Sequence, residues 1–187
     1  LNMSLVLLAN IYWYQTFFPQ SQVFPLVMGQ LFFVLAAPVA VWTIGGLEQP
    51  LIASLLAWCI VFTCLILQHA APRPLWIWLV STLLGALALT RPDGILFTVI
   101  ILTAWFLRRG ITPASLLTAT KILTLPVLCY SSQLAFRLWY YQAWVPNTAL
   151  VKLSPSIKHF LEGGQYLWAG LLSLSPFSFL SLAILVI

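Results

Sequence analysis

Charged side chains are scarce in this sequence. It contains eight Lys or Arg and three Asp or Glu among 187 residues, 6% of the chain, whereas a soluble domain carries roughly a quarter. Because hydrophobic residues make up 62%, so few charges could not cover a water-soluble globule of this size. The composition therefore excludes a cytosolic enzyme and a disordered chain, and it predicts an integral membrane protein.

Clustered cations and paired cysteines are also missing. The net charge is +5, but the basic residues are scattered rather than grouped in a patch, which argues against a nucleic-acid partner. Cys59, Cys64 and Cys129 lie in apolar segments without paired spacing, so we expect packing roles rather than disulfides or metal ligands. The sequence has no metal-ligand spacing, phosphate-binding glycine loop or nucleophile elbow. We therefore expect no cofactor and no metal site made by these residues, with a divalent metal as the open alternative.

Both ends of the sequence lie inside apolar runs. The first run, LNMSLVLLAN, lacks the basic segment that precedes the apolar part of a signal peptide. The chain ends SLAILVI, again within an apolar run. We therefore expect residues 1–187 to be a single transmembrane domain that is a fragment of a longer protein.

Long apolar runs between polar breaks predict an all-α, polytopic membrane protein. A helix needs about 20 apolar residues to cross roughly 30 Å of hydrocarbon, where the backbone must satisfy its own hydrogen bonds. The runs give seven segments, at about 1–18, 23–44, 49–69, 75–90, 95–107, 113–135 and 166–187. The fourth and fifth reach only about 24 and 20 Å. Flanking residues complete them, or they form a re-entrant hairpin whose turn, 90–94, enters the membrane.

The positions of arginine predict which loops face the cytoplasm. One arginine lies in the loop 69–74 and two lie in the loop 108–112, and Lys and Arg in short loops mark the cytoplasmic side. Alternation of the segments then places residues 45–50, the turn 90–94 and the loop 136–165 together on the outer face. All three acids of the chain belong to that face.

The outer loop 136–165 contains signals of its own. Trp139, Tyr140, Tyr141 and Trp144 are typical of side chains at the level of lipid headgroups. Ser154-Pro155 is a helix-start signal and Gly163-Gly164 a stop signal. We therefore predict a short helix over 155–162 that lies on the membrane surface.

Three ionisable residues of the outer face are candidates for chemistry. Arg91 and Asp93 stand between very apolar stretches, and ionisable groups at membrane depth are costly and usually functional. The alternative is a local ion pair in a tight turn made by Pro92 and Gly94. Glu48 lies on the same face, although an acid at the start of a helix can also serve only to cap it.

Cations of the outer loop form a second group of candidates. Arg137, Lys152, Lys158 and His159 lie just beyond the predicted membrane segments. Contact with lipid headgroups is the simpler interpretation. Recognition of a lipid-linked phosphate is the sharper one, since Arg and Lys suit phosphate oxygens.

Three motifs in order give the chain a resemblance to a known family. They are Gly46-Leu47-Glu48-Gln49-Pro50-Leu51, then Leu89-Thr90-Arg91-Pro92-Asp93-Gly94, then Tyr140-Tyr141-Gln142-Ala143-Trp144-Val145-Pro146-Asn147-Thr148 with Lys152 following. In these motifs the chain resembles bacterial polytopic glycosyltransferases of the GT-C class, in particular the arabinofuranosyltransferase-like group. Two residues differ from the motifs of that group. Gln49 stands where a Thr is usual, and Gln142 stands where a small residue is usual.

The resemblance implies a multi-pass enzyme of the bacterial inner membrane. Such enzymes move a sugar from a polyprenyl-phosphate donor to a glycan or lipid acceptor of the cell envelope, on the outer face. Their catalytic acid lies in a first outer loop, which would precede Leu1, so Glu48 and Asp93 are expected to be cavity acids rather than the base. The expected substrate-binding residues are Glu48, Arg91, Asp93, Arg137, Tyr140, Tyr141, Asn147 and Lys152.

A non-catalytic role is the alternative. A transporter or scaffold subunit could use the Arg91–Asp93 pair to gate or brace a pathway. Transporters often show paired broken helices in two corresponding halves, whereas the 90–94 turn has no second copy in this sequence.

Overall fold

The computed structural model describes residues 1–19, 23–45, 48–142, 144 and 157–173, and these residues form helices and turns without any strand. The chain divides into two compact units, Leu1–Tyr141 and Gln142–Ile187. The first unit contains α1 (Asn2–Phe17), α2 (Val23–Leu35), α3 (Ala37–Ile44), α4 (Gln49–Gln68), α5 (Pro74–Thr90), a 3₁₀ turn (Pro92–Gly94), α6 (Ile95–Arg109) and α7 (Pro113–Tyr141). The second unit contains α8 (Ile157–Ser173). The all-α prediction is confirmed for the described residues.

The predicted second segment, 23–44, is two helices rather than one. The backbone of Ala36 is extended, with φ −66° and ψ 116°, and it ends α2 and begins α3. Pro38 explains the break, because a proline lacks the N–H of a helix interior and its ring clashes with the carbonyl four residues earlier. The prediction of a single segment missed this break because the apolar run continues through it.

The helices α4 to α7 form a bundle with two chemically different ends. A short loop joins α4 to the antiparallel α5, and Arg91 at the end of α5 contacts Glu48 at the start of α4. After the 3₁₀ turn, α6 runs back, so that Arg109 at its end meets the last turn of α4. We call these two ends the Arg91 end and the Arg109 end. The hairpin of α5 and α6 therefore returns the chain to the end of the bundle at which α5 began.

Helix α7 lies beside α5 and runs in the same direction. Gln133 donates a hydrogen bond to the carbonyl of Leu89, and Leu125 donates its backbone N–H to Ser81 Oγ. The two helices approach closely at Gly85, where an added Cβ would lie 3.2 Å from Cys129 Sγ. Small residues at helix contacts permit such an approach in membrane proteins.

The bond from Leu125 to Ser81 lies next to a proline of α7. Pro126 lies inside this helix and is buried. A proline there lacks the N–H that a helix interior uses, so the carbonyl of Ile122 loses its usual donor. Ser81, itself fully buried, supplies the acceptor.

The buried core lies where α4, α5, α6 and α7 meet. Its fully buried members include Ile66, Leu84, Leu87 and Ile122, with Trp105 of α6 also buried. Helix α1 adds a second cluster, in which Ala9 packs on Val61 and Leu65 of α4. The three cysteines are free, one buried and two half-buried.

Two predicted boundaries are wrong. The sixth segment, 113–135, continues as helix to Tyr141, so the tyrosine pair belongs to the last turn of α7 rather than to a loop. The predicted surface helix 155–162 does not stop at Gly163-Gly164, because α8 runs through both glycines to Ser173 and includes the start of the predicted segment 166–187. A glycine inside a helix costs only about 1 kcal/mol relative to alanine, so the pair is not an obligatory stop. Residues 174–187 lie outside the described residues.

Two of the described helices are long and apolar enough to cross a membrane, namely α4 with 20 residues and α7 with 29. Helices α2 and α5 are apolar but shorter. The expectation of seven spans stays a prediction.

Candidate functional site

The charged residues of the Arg91 end form a small network. Arg91 Nε donates to Asp93 Oδ1 at 2.8 Å, and Arg91 Nη1 donates to Glu48 Oε1 at 3.3 Å. The first contact is local, but the second joins residues 43 positions apart. Three of the predicted site residues therefore lie in one cluster.

The local backbone explains how Arg91 meets Asp93. Arg91 ends α5 with an extended backbone, at φ −145° and ψ 144°, and the next three residues form the 3₁₀ turn. Residues before a proline favour extended conformations, so Pro92 helps to end the helix there. The backbone N–H of Gly94 then donates to the carbonyl of Arg91 at 2.9 Å, which closes the turn.

Gly94 is required by its surroundings rather than by its dihedral angles. An added Cβ would lie 2.1 Å from the carbonyl oxygen of Leu87, which is far inside contact distance. The obstacle is backbone of α5, which cannot rotate away as a side chain could. The glycine of the Arg-Pro-Asp-Gly motif therefore lets the turn pack on the end of α5.

Glu48 stands at the start of α4, as the capping interpretation expected, but it uses its side chain differently. It occupies the N-cap position, and its side chain makes no capping hydrogen bond there. Its carboxylate contacts Arg91 instead. Glu48 thus connects two helices, which a simple helix cap does not do.

The network is half-exposed and electrostatically favourable. The exposed fractions of the side chains are 41% for Arg91, 43% for Glu48 and 54% for Asp93. The hydrogen bond from Arg91 holds the pKa of Asp93 below its ordinary value, and the same contact raises the pKa of Arg91. Both shifts favour the charged forms of Arg91 and Asp93 at neutral pH.

One edge of the arginine remains open. Within the described part of the chain, Nη2 of Arg91 donates no hydrogen bond, whereas Nε and Nη1 each hold one carboxylate. The guanidinium is therefore fixed in orientation on one side and can donate on the other. Such a planar, oriented donor suits an oxyanion.

Helix α7 continues beyond the Arg91 end. Gln133 lies level with Leu89, so Tyr141 is about 12 Å further along the helix at 1.5 Å per residue. Phe136 stacks on Tyr140 with centroids 5.6 Å apart, and Tyr140 meets Tyr141 edge to face at 4.7 Å. Both tyrosines are exposed, and Arg137 lies half-buried on the same two turns.

The remaining predicted site residues, Asn147 and Lys152, lie outside the described residues. Sequence reasoning also missed one contributor, Gln133, whose amide satisfies the carbonyl of Leu89 near the end of α5. Its only signal is a polar run, Ser131-Ser132-Gln133, in the second half of α7.

An apolar cavity of about 360 Å³ lies between α1 and α2. Its lining is Leu7, Ile11, Leu26, Val27, Gln30, Leu31 and Val34. None of these residues belongs to the Arg91 network, so the cavity is separate from the charged cluster.

The Arg91 network is the feature from which a function can be inferred. Close, charged and half-exposed side chains are properties of a site for a charged ligand, and equally of a brace between two helices. No protein-family model, curated protein or solved structure matches this chain.

Proposed function

We propose that this chain belongs to a membrane glycosyltransferase that takes a sugar from a polyprenyl-phosphate donor and transfers it to a cell-envelope acceptor on the outer face of the bacterial inner membrane. The proposal depends on the guanidinium of Arg91. Its Nε and Nη1 each donate to a carboxylate, and its Nη2 has no acceptor among the described residues. The motifs shared with GT-C glycosyltransferases supply the reaction class.

A membrane setting is supported by the surface of the helices. Helices α4 and α5 contain no charged residue, and α6 has charges only in its last turn. Many large apolar side chains are exposed, among them Ile60, Leu96, Ile100 and Leu117. An apolar surface of this extent is unfavourable in water but favourable against lipid chains.

The donor phosphate would bind at the open edge of Arg91. A polyprenyl phosphate keeps its chain in the hydrocarbon and its phosphate at the interface, which is where a turn at the end of α5 would lie. A guanidinium fixed by two carboxylates loses little conformational freedom on binding. In the transfer, its charge would stabilise the departing phosphate.

The two acids would position groups rather than accept the acceptor's proton. A general base works best when its pKa lies near the operating pH. The hydrogen bond from Arg91 shifts the pKa of Asp93 below its ordinary value, and therefore further away from neutral pH. Asp93 and Glu48 would therefore hold Arg91 and accept hydrogen bonds from sugar hydroxyls with their remaining oxygens.

The end of α7 would form the membrane entry to this site. Tyr140 and Tyr141 combine an apolar ring with a polar hydroxyl, and Arg137 adds a cation on the same turns. Asn147 and Lys152 complete the proposed substrate-binding set. Their contribution rests on the sequence resemblance alone.

The test is a transfer assay on the complete protein with a panel of polyprenyl-phosphate sugars. We expect Arg91→Ala to reduce turnover by about 100-fold, which is typical of removing one donor that stabilises transition-state charge. Arg91→Lys should retain the charge but lose the two-acid clamp, and should recover only part of the activity. Lys121→Gln, which removes a cation from the first third of α7, far from the Arg91 end, is the matched control and should leave turnover unchanged. Wild-type turnover in both Arg91→Ala and Lys152→Ala would disprove the assignment.

A non-catalytic transporter or scaffold subunit is the second candidate. The observation in its favour is that both close contacts of Arg91 are made to acids of the same chain, as in a brace between α4 and α5. In that case Arg91→Ala would lower the stability of the bundle, and no donor of the panel would be consumed by the wild-type protein.

A further inference from the structure

Three arginines belong to the Arg109 end of the bundle. Arg73 starts α5, and Arg108 and Arg109 end α6. The only two acids of the first unit, Glu48 and Asp93, lie at the Arg91 end. Within this unit, the three arginines therefore have no carboxylate near them to neutralise their charge.

Arg109 fixes the framework of this end. Its Nη2 donates to the carbonyls of Ile66 at 3.3 Å and Leu67 at 3.0 Å, and also to that of His69. Its guanidinium lies 5.6 Å from the ring centre of Trp105. A cation among the last carbonyls of a helix is favourable because they carry the negative end of its dipole. Arg109 is therefore occupied in holding α6 to α4.

Arg73 is held differently, by an aromatic ring rather than by backbone carbonyls. Its guanidinium lies 5.2 Å from the ring centre of Trp76, and the ring of His69 meets the same indole at 5.0 Å. Among the described residues, neither Arg73 nor Arg108 makes a hydrogen bond or an ion pair through its side chain, and both are exposed. The two arginines thus leave ten N–H donors, five each, available to a ligand.

Exposed apolar side chains adjoin these cations along the chain. They are Leu75 (65% exposed), Leu107 (84%) and Ile111 (79%). A free phosphate ion or a soluble polyanion would gain nothing from them. A lipid would, because its acyl chains can cover apolar side chains while its phosphate meets the arginines.

We infer that the Arg109 end binds the phosphate of an anionic phospholipid at the inner surface of the membrane, with Arg73 and Arg108 as its ligands. The inference rests on the membrane setting proposed above, but not on the transfer reaction. Basic residues near a membrane surface attract anionic lipids, with an effect equivalent to about five-fold in binding for each Lys or Arg. Arg109 acts here as a positioning residue, since its Nη2 donates to carbonyls at the end of α4.

The test is lipid retention measured by native mass spectrometry. The complete protein is released from micelles of an uncharged detergent that contain equal amounts of palmitoyl-oleoyl phosphatidylglycerol and palmitoyl-oleoyl phosphatidylcholine. These lipids share their acyl chains and differ in headgroup charge. We expect preferential retention of phosphatidylglycerol, and we expect R73Q/R108Q to reduce that preference by roughly 25-fold, five-fold for each arginine. Retention of phosphatidylcholine should not change.

Two matched variants control for folding and for total charge. R73K/R108K keeps both charges and should retain most of the preference, whereas K121Q removes a cation from within α7 and should retain all of it. Thermal unfolding in the same detergent checks that each variant is folded. Inorganic phosphate at the lipid's concentration should not displace the lipid, because it has no acyl chains.

Equal retention of the two lipids by the wild-type protein would overturn the inference, as would an undiminished preference in a folded R73Q/R108Q. Displacement by inorganic phosphate would also overturn it, because the ligand would then be a free anion. A protein that stays soluble without detergent would contradict the membrane setting and hence the proposed function as well. A protein that requires detergent but shows no lipid preference would leave the proposed glycosyltransferase standing.

Discussion

Arg91 Nη1 and Glu48 Oε1 are 3.3 Å apart, although 43 positions separate the two residues in the chain. This contact joins the N-cap residue of α4 to the residue that ends α5. Arg91 also donates to Asp93 there, at 2.8 Å. If the network is a brace between α4 and α5, substitutions in it should lower stability. If it is a ligand site, they should lower activity.

Glu48→Gln should affect activity more than stability. The pair is half-exposed on both sides, and exposed ion pairs contribute only about 0–1 kcal/mol to stability. We therefore expect the free energy of unfolding to change by less than about 1 kcal/mol, while sugar transfer by the complete protein falls because Arg91 loses one of its two anchors. Glu162→Gln on α8 is the control for loss of an acid. Unchanged transfer in Glu48→Gln would show that Asp93 alone is enough to position Arg91.

Gly94→Ala should be strongly destabilising. Its new methyl group would lie 2.1 Å from the carbonyl oxygen of Leu87, so either the turn or the end of α5 must move. Insertion of extra atoms into a closely packed site typically costs about 1–3 kcal/mol or more. Gly29→Ala in α2 is a suitable comparison, because its Cβ would meet no atom within 4 Å and alanine favours a helix. Thermal unfolding in detergent should separate the two variants; similar midpoints would contradict the close approach.

Arg109→Gln should loosen the Arg109 end. The substitution removes donors from the carbonyls of Ile66, Leu67 and His69 and the cation over Trp105. Hydrogen bonds to charged groups contribute about 1.5–3 kcal/mol each, and several here share one nitrogen, so we expect a loss of about 2 kcal/mol. Arg108→Gln on the same turn should be nearly neutral in an uncharged detergent. Equal unfolding midpoints for the two variants would argue against a capping role for Arg109.

Acidification should weaken the Arg91 end through Asp93. The folded-state pKa of Asp93 is lowered, so its contribution to stability is present above the unfolded-state value of about 3.9 and is lost as the pH falls through the folded value. We therefore expect a difference in unfolding midpoint between wild type and Asp93→Asn that is constant from neutral pH to about pH 5 and shrinks below about pH 4. A difference that does not depend on pH would mean that Asp93 acts through packing rather than charge.

The sequence predicted most helices because their apolar runs are long and their ends carry prolines and polar breaks. It also placed Glu48 and Arg91 on one face, since alternation of α4 and α5 brings the start of one to the end of the other. Boundaries were harder. Pro38 ends α2 within an unbroken apolar run, and Gly163-Gly164 stays helical because a glycine pair weakens a helix without forbidding it.

Contacts that depend on the register between helices could not be read from the sequence. Gln133 reaches Leu89, and Ser81 accepts from Leu125, only because α7 lies beside α5 with one particular alignment. Neither residue belongs to a motif. The capping of α4 by Arg109 is a similar case, since the same arginine pair also fits a simple role in membrane orientation.

The parallel pairing of α5 with α7 has a consequence for the order in which the protein is made. Helix α5 leaves the ribosome before α6 and α7, so its face with Ser81 and Gly85 has no partner until the last of these helices appears. During that interval the hydroxyl of Ser81 lacks the N–H of Leu125, and the groove at Gly85 lacks Cys129. The side of α5 that carries Ser81 and Gly85 is therefore covered only once α7 docks, and the same docking places the tyrosine pair beyond the Arg91 end.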